Sequence, residues 1–251
     1  MSKKSRRKIR RIQRFVFVAG WLVIAVLLVL VIRTVVNGIS GDGDQETQNS
    51  LEAAGTPAYG ETLMAASVSD PVYFNSAGER VIQWDLITVP DWIERDLLPV
   101  NEYSRPGIYL DDVDGIVVHY TGNPGTTAEQ NRSYFENLAS GADETYASSH
   151  FVIGIDGTII QCVPLSEVAY ASNDRNYDTI SIECCHEDES GEFTQATYDS
   201  LVRLTSWLAD TFLIDRDGII RHYDVTGKIC PKYFVDNEDA WTQFLDDVEA
   251  D

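Results

Sequence analysis

The feature that most constrains this chain is a run of 18 residues without a charged side chain, Phe15 to Ile32 (FVFVAGWLVIAVLLVLVI). At about 1.5 Å per residue, a helix of this length spans roughly 27 Å, close to the ~30 Å hydrocarbon core of a bilayer. Arg33 can reach the interface at its far end. A cleaved signal peptide normally has a shorter apolar region, of about 7–15 residues. We therefore expect residues 15–36 to be an uncleaved transmembrane signal anchor.

The charge of the chain is divided sharply on either side of this run. Residues 1–14 carry eight of the 19 Lys and Arg residues and no acid, whereas all 40 Asp and Glu residues follow Gly38. Because basic flanks stay on the cytoplasmic side, we expect residues 1–14 to be cytoplasmic and the rest of this single-pass chain to face outward from the cell membrane. The acidic body also argues against a nucleic-acid partner, since that affinity depends on neutralising phosphates.

Composition divides the remainder of the chain into three parts. Residues 37–70 are rich in Gly, Ser, Thr and acids and lack periodicity, which is typical of a flexible acidic linker. Residues 71–111 contain short apolar islands and are interpreted as an N-terminal extension packed on the main domain. Residues 112–251 are expected to form the compact domain.

The compact domain alternates strand and helix signals. The buried-strand run GIVVHY is followed by an amphipathic segment after a threonine cap, and a later pair of strands is joined by the turn Asp156-Gly157. Strands mixed with helices and a hairpin predict an α/β fold, with a mixed central β-sheet flanked by helices. The predicted strands cover 115–120, 149–164, 179–185 and 218–224, and the predicted helices 126–140, 194–213 and 237–250.

Four histidines and four cysteines are candidates for chemistry. His119 and His222 each end a predicted strand, and Cys230 follows His222 by eight residues. Two imidazoles and a thiolate suit zinc, and three protein ligands leave a fourth position open for catalysis. The spacing alone leaves a second interpretation open, in which the histidines are ordinary polar residues and Cys230 forms a disulfide.

The order of several motifs resembles the type 2 N-acetylmuramoyl-L-alanine amidases, a zinc family that shares its fold with the peptidoglycan recognition proteins. The resemblance covers about residues 112–245. It rests on IVVHYTGNPGTT, SSHFVIGIDGTIIQCVP, TISIECC and RHYDVTGKICP, in that order. It implies that Zn²⁺ is bound by His119, His222 and Cys230.

The resemblance also implies roles for groups beside the metal. Glu183 matches a glutamate that acts as general base and acid, and Lys228 matches a lysine that stabilises an oxyanion. His150, Tyr120 and Ser149 are expected to contact the substrate.

The chain departs from the family pattern at two positions and has one isolated histidine. Ser149 stands where some members have a tyrosine. VAYAS (168–172) places Tyr170 where many relatives have a histidine, which predicts altered substrate contacts. His186, in an acidic loop, is expected to be exposed. The pairing of Cys162, Cys184 and Cys185 cannot be assigned from the sequence.

The sequence thus predicts a membrane-anchored zinc amidase that cleaves peptidoglycan between N-acetylmuramic acid and the L-alanine of the stem peptide, with a monomeric catalytic domain. A module of the same fold that binds muropeptides without cutting them is the alternative. The preferred stem peptide and the biological occasion are not encoded in any motif that we can identify.

Overall fold

A computed structural model describes residues 70–142 and 144–251 of the chain. The predicted cytoplasmic segment and signal anchor, and all but the last residue of the predicted linker, lie outside the described residues. Within the described part, no helix has both the length and the apolar character needed to cross a membrane.

The described residues form a six-stranded sheet, a separate two-stranded hairpin and five α-helices. The hairpin consists of β1 (Val72–Phe74) and β2 (Arg80–Ile82). The sheet contains β3 (Glu94–Arg95), β4 (Gly115–Tyr120), β5 (Phe151–Ile153), β6 (Ile159–Gln161), β7 (Thr179–Cys184) and β8 (Ile219–Arg221). The helices are α1 (Ala128–Asn137), α2 (Gln195–Phe212), α3 (His222–Thr226), α4 (Lys232–Asp236) and α5 (Glu238–Ala250).

The sheet is mixed, with strand order β3-β6-β5-β7-β4-β8. Strand β4 is parallel to both of its neighbours, β7 and β8, whereas β5 and β6 are antiparallel. Strand β4 is almost entirely buried, which explains why its sequence is a continuous apolar run rather than an alternating one. The predicted α/β fold with a mixed sheet flanked by helices is confirmed.

Helices cover both faces of the sheet. Because side chains alternate along a strand, Phe151 and Ile153 pack with Leu201 of α2 and Phe244 of α5, while Val152 faces the opposite cluster, which contains residues of α1. Helices α1 and α2 each follow a threonine whose side chain accepts the backbone N–H of the third helical residue.

Residues 71–111 contact the main domain along the edge of the sheet. Strand β3 pairs in parallel with β6, and the guanidinium of Arg80 donates a 2.8 Å hydrogen bond to Asp112. Farther along, the Arg203 guanidinium lies 4.1 Å from the ring centre of Trp92. The extension thus covers the outer side of β6 with a two-residue edge strand, which offers little backbone for pairing with other chains.

All four cysteines are buried and free of disulfides. Burial raises the pKa of Cys162 to about 12, so this thiol stays protonated at neutral pH. Because Cys230 forms no disulfide, it is available as a metal ligand, and the disulfide interpretation is not supported.

Candidate metal centre

Three predicted ligands converge where β4 and β8 end. Because these strands are parallel, with Val118 opposite Arg221, the next residues, His119 and His222, lie side by side. Their Nδ1 atoms are 3.1 Å apart, and Cys230 Sγ is 3.8 Å from the Nδ1 of His119. All three residues are buried, and their ligand atoms lie within 4.8 Å of one another.

A tight return of the chain brings Cys230 back to the histidines. Helix α3 begins at His222 and is capped after Thr226 by Gly227, whose φ of +78° is a left-handed conformation that favours glycine. The N–H of Tyr223 then donates to the carbonyl of Cys230 at 2.9 Å. The sequence predicted an extended strand that breaks in the DVTGK segment, but the helix already begins at His222.

The outer nitrogens of both histidines have partners. His222 Nε2 lies 2.9 Å from Oδ1 of Asn173, and His119 Nε2 lies 3.1 Å from the hydroxyl of Ser172. Because an amide oxygen only accepts, the proton of neutral His222 is on Nε2, which leaves its Nδ1 lone pair directed toward His119. The Ser172 hydroxyl can serve either tautomer of His119, so this histidine can hold a proton at Nδ1 or present a second lone pair there. Partners of this kind orient the histidines of metal sites.

The donor set fits zinc. With zinc–nitrogen and zinc–sulfur bonds of about 2.05 and 2.3 Å, a tetrahedral site requires roughly 3.3 Å between nitrogens and roughly 3.6 Å between nitrogen and sulfur. The two distances in the structure, 3.1 and 3.8 Å, lie close to these values. Burial lowers the pKa of both histidines, which keeps them neutral as metal ligation requires. Burial also raises the pKa of Cys230 to about 12, so the thiol gives up its proton only when a cation replaces it.

Glu183 lies beside this centre as a half-buried residue with one fully buried carboxyl oxygen. It sits on β7 directly opposite His119 of β4, and its Oε2 atom is buried without a hydrogen-bond partner among the described residues. Burial raises the pKa of Glu183 to about 8, and the positive charge of Lys228 partly opposes this shift. A carboxyl group with a pKa near neutrality can both accept and donate a proton.

A cavity of about 320 Å³ joins these groups. It is lined by both histidines, Glu183 and the exposed Lys228, and further by Phe135, Tyr146, Ala147, Ser148, Tyr170, Ala171, Asn173 and Asn176. A larger cavity of about 440 Å³ elsewhere is lined by none of these residues. The convergence of ionisable side chains, rather than size, therefore identifies the candidate site.

The predicted substrate contacts of His150 and Ser149 are not supported. Both residues are fully buried, and neither lines the cavity. The backbone N–H of Ser181 donates to His150 Nδ1 at 3.0 Å, while His150 Nε2 lies 2.9 Å from the carbonyl oxygen of Glu167. Ser149 donates to the carbonyl of Ser181 at 2.9 Å. These side chains hold the sheet together and have no surface left for a substrate.

Tyr120 also differs from its predicted role. Its ring stacks on His186 with centroids 5.0 Å apart and does not line the cavity. Its backbone N–H instead donates to Cys230, which favours the thiolate form of that residue. The prediction that His186 is exposed is wrong, because this histidine is buried under Tyr120 and its Nδ1 lies 2.8 Å from the carbonyl oxygen of Asp188.

Sequence reasoning missed Ser172 and Asn173 as partners of the metal ligands. Asn176 fixes their loop, because its Oδ1 accepts the backbone N–H groups of Ala171 and Ser172. Asn173 has a φ of +54°, a conformation that asparagine tolerates better than most residues. The turn-forming run Ser172-Asn173-Asp174 was the available signal, but nothing local connects it with histidines about fifty residues away in the sequence.

Comparison with known proteins identifies relatives of residues 109–233, which match the family model described as N-acetylmuramoyl-L-alanine amidase. The chain is 34% identical over 174 residues to the N-acetylmuramoyl-L-alanine amidase BlyA of Bacillus subtilis (strain 168), covering 61% of this chain and 46% of BlyA. It is 32% identical over 171 residues to the amidase CwlL of Bacillus licheniformis, covering 63% and 47%. The chain thus spans about half the length of the curated relatives it matches.

Solved structures show the same fold. The catalytic domain of XlyA is 27% identical, with a TM-score of 0.53 over 62% of this chain and 98% of that domain. A mutant endolysin from Bacillus subtilis is 26% identical, with a TM-score of 0.53 over 62% and 97%. The similarity therefore extends over nearly the whole of both solved chains.

Proposed function

We propose that this chain, which belongs to the N-acetylmuramoyl-L-alanine amidase family through residues 109–233, is a zinc-dependent peptidoglycan hydrolase tethered to the membrane. It would cleave the amide between the lactyl group of N-acetylmuramic acid and L-alanine, giving a free carboxylic acid and a free amine. The observation that carries this proposal is the convergence of His119, His222 and Cys230, with both histidines lining one cavity together with Glu183 and Lys228.

The three ligands would hold one zinc ion and leave a position open. When bound, zinc lowers the pKa of water to about 7 and polarises carbonyl oxygens. His119 and His222 contribute neutral nitrogens whose orientation is fixed by Ser172 and Asn173. The nearly complete burial of all three ligands limits competition from bulk water.

Glu183 supplies the proton transfer that amide hydrolysis needs. Its carboxylate accepts a proton from the water that attacks the amide carbon, and then returns that proton to the nitrogen as the carbon–nitrogen bond breaks. Its position opposite His119 places the carboxyl group beside the metal ligands. Its Oε2 atom has no hydrogen-bond partner within the described part of the chain, which leaves that atom available to the reaction.

Lys228 supplies positive charge on the same cavity. Negative charge develops on the carbonyl oxygen as water adds, and an ammonium group nearby stabilises that charge. Lys228 follows Gly227, the residue that ends α3, so the same turn that returns Cys230 to the metal site also presents this side chain.

The membrane tether rests on the 18-residue apolar run and its basic flank. An anchor followed by an acidic linker would hold a monomeric catalytic domain outside the cell, within reach of the wall. Fractionation tests it: the full chain should remain with membranes after a high-salt wash and be released only by detergent. Release by salt alone would contradict the anchor.

The activity is tested with the full chain purified in mild detergent and incubated with peptidoglycan, with and without a zinc chelator. New N-terminal L-alanine should appear, chelation should abolish it, and added zinc should restore it. If no peptidoglycan tested yields new amino termini, the chain binds muropeptides without cutting them or has another role. Glu183→Ala should lose turnover but keep its zinc, which separates loss of the base from loss of the metal.

A further inference from the structure

Three tyrosines form a continuous aromatic surface at the mouth of the cavity. The ring of Tyr146 lies between those of Tyr103 and Tyr170, with centroid distances of 5.2 and 5.8 Å. Tyr146 is 51% exposed, and it lines the cavity together with Tyr170. We call Tyr103, Tyr146 and Tyr170 the tyrosine ledge.

Hydrogen bonds hold the segments that carry the ledge. The backbone N–H of Ala147 donates to the carbonyl of Tyr103 at 3.1 Å, and that of Ser148 donates to the carbonyl of Tyr170 at 3.0 Å. The hydroxyl of Tyr146 donates to Glu102 at 3.1 Å. The order of the three rings is therefore fixed by their backbones before any ligand arrives.

A glycine makes room for the outermost ring. A Cβ atom on Gly141 would lie only 2.7 Å from the Tyr103 hydroxyl oxygen, and Gly141 has a φ of +68°. Any larger residue there would both strain the backbone and push Tyr103 out of place. The packing of Tyr103 against the loop before Tyr146 thus depends on a glycine at position 141.

The ledge leads from the metal centre to the N-terminal extension. Ser172, the partner of His119, is only two residues beyond Tyr170. Tyr103 and Glu102, at the other end, lie before residue 109, where the match to the family begins. The outer end of this surface is therefore contributed by residues that precede the match to the family model.

We propose that the tyrosine ledge is a saccharide subsite, which holds the pyranose ring of the substrate while its amide lies at the metal centre. This inference rests on the proposed function. A pyranose presents apolar C–H faces, which suit aromatic rings, and a rim of hydroxyl groups, which suit acceptors such as the Glu102 carboxylate.

Charge favours the sugar over the peptide on this surface. Lys228 is the only cationic side chain among the described residues that line the cavity, and the ledge itself carries Glu102. A stem peptide that bears carboxylates would be repelled by Glu102, whereas an uncharged sugar ring would not. We therefore assign the ledge to the glycan side of the scissile bond.

The test compares two substrates with the same scissile amide: N-acetylmuramoyl-L-alanyl-D-isoglutamine, and D-lactoyl-L-alanyl-D-isoglutamine, which lacks the sugar. The zinc-loaded full chain should prefer the first in kcat/KM. Tyr146→Ala should lower that preference about two- to twelvefold, mainly through KM, which corresponds to roughly 0.5–1.5 kcal/mol for one aromatic contact. Tyr146→Phe should keep most of the preference, and Tyr109→Ala, an equally exposed tyrosine outside the cavity, should keep all of it.

Binding to the Glu183→Ala variant separates this inference from the proposed function. That variant should bind the muramyl compound more tightly than the lactoyl compound, and adding Tyr146→Ala should remove the difference. If the parent chain cuts neither compound but binding depends on the sugar, the proposed hydrolase activity is refuted and the saccharide subsite is supported. Turnover with no preference for the sugar, or equal effects of Tyr146→Ala on both compounds, would refute the saccharide subsite. Either result would leave the proposed hydrolase activity unaffected.

Discussion

The buried carboxyl group of Glu183 makes a quantitative prediction about the metal-free protein. Its pKa is raised from 4.5 to about 8 by burial, so the folded chain holds a proton that the unfolded chain releases. The folded state therefore binds more protons between these two values, and the free energy of unfolding falls as the pH rises through that interval. At about 1.36 kcal/mol per pKa unit, the destabilisation reaches at most about 5 kcal/mol above pH 8.

Glu183→Gln removes this ionisation while keeping the size of the side chain. The variant should match the parent near pH 4.5 and become progressively more stable than the parent as the pH rises. The buried histidines contribute in the opposite direction, because their lowered pKa makes the folded chain gain stability as the pH rises toward 6.5. Between pH 6.5 and 8, Glu183 titrates without a contribution from these histidines. Over that interval, the difference in free energy of unfolding between Glu183→Gln and the parent should widen by about 2 kcal/mol.

The assay is urea unfolding followed by tryptophan fluorescence in excess chelator, at half-unit steps of pH. Glu189→Gln, at an exposed acidic position, serves as the matched control and should follow the parent at every pH. Parallel stability curves for the parent and Glu183→Gln between pH 6.5 and 8 would refute the argument. They would mean that the carboxyl group is hydrated well enough to ionise normally in the folded chain.

Three further predictions concern the metal site and the reaction. Cys230→Ser should lose most of the bound zinc measured by elemental analysis, and a full complement of zinc in this variant would remove Cys230 from the ligand set. Asn173→Ala should weaken zinc binding about 10–100-fold in chelator competition. The control Asn137→Ala, on an exposed helix end, should bind zinc as the parent does. Equal zinc affinities of the two variants would show that Asn173 does not orient His222. Lys228→Met should lower kcat by roughly 10²–10³ with zinc retained. The control Lys232→Met, which removes a lysine outside the cavity, should leave kcat near the parent value. Similar kcat values for the two variants would exclude Lys228 from oxyanion stabilisation.

The sequence predicted those parts of the fold that depend on local patterns. Strand β4 is a continuous apolar run, and helices α2 and α5 have strong apolar periodicity. The bounds of all three agree with the predictions to within one or two residues. The positions of His119 and His222 followed from the same signal, since each terminates an extended apolar run. Their proximity depends on the parallel pairing of β4 and β8, which was not predicted from the sequence.

The failures concern side-chain direction and long-range pairing. His150 and Ser149 precede β5, and the sequence does not say whether their side chains face the cavity or the interior; the hydrogen bonds to Ser181 decide it. His186 lies in an acidic loop, where composition predicts exposure, but the ring of Tyr120 covers it. The pairing of β3 with β6 was equally invisible, because a two-residue strand has no periodicity.

Several features of this centre have one common physical cause. The Nδ1 atom of His222 directs a lone pair at His119, the thiol of Cys230 keeps its proton, and the buried Oε2 atom of Glu183 has no partner among the residues that the structure describes. Each is a donor atom held in a buried site, where further positive charge would stabilise it. A divalent cation bound by the two histidines and the cysteine would supply that charge to all of them at once, and it would also lower the pKa of Glu183. The stability difference between Glu183→Gln and its parent should therefore shrink when zinc is saturating, because the cation stabilises the ionised carboxylate that burial alone disfavours.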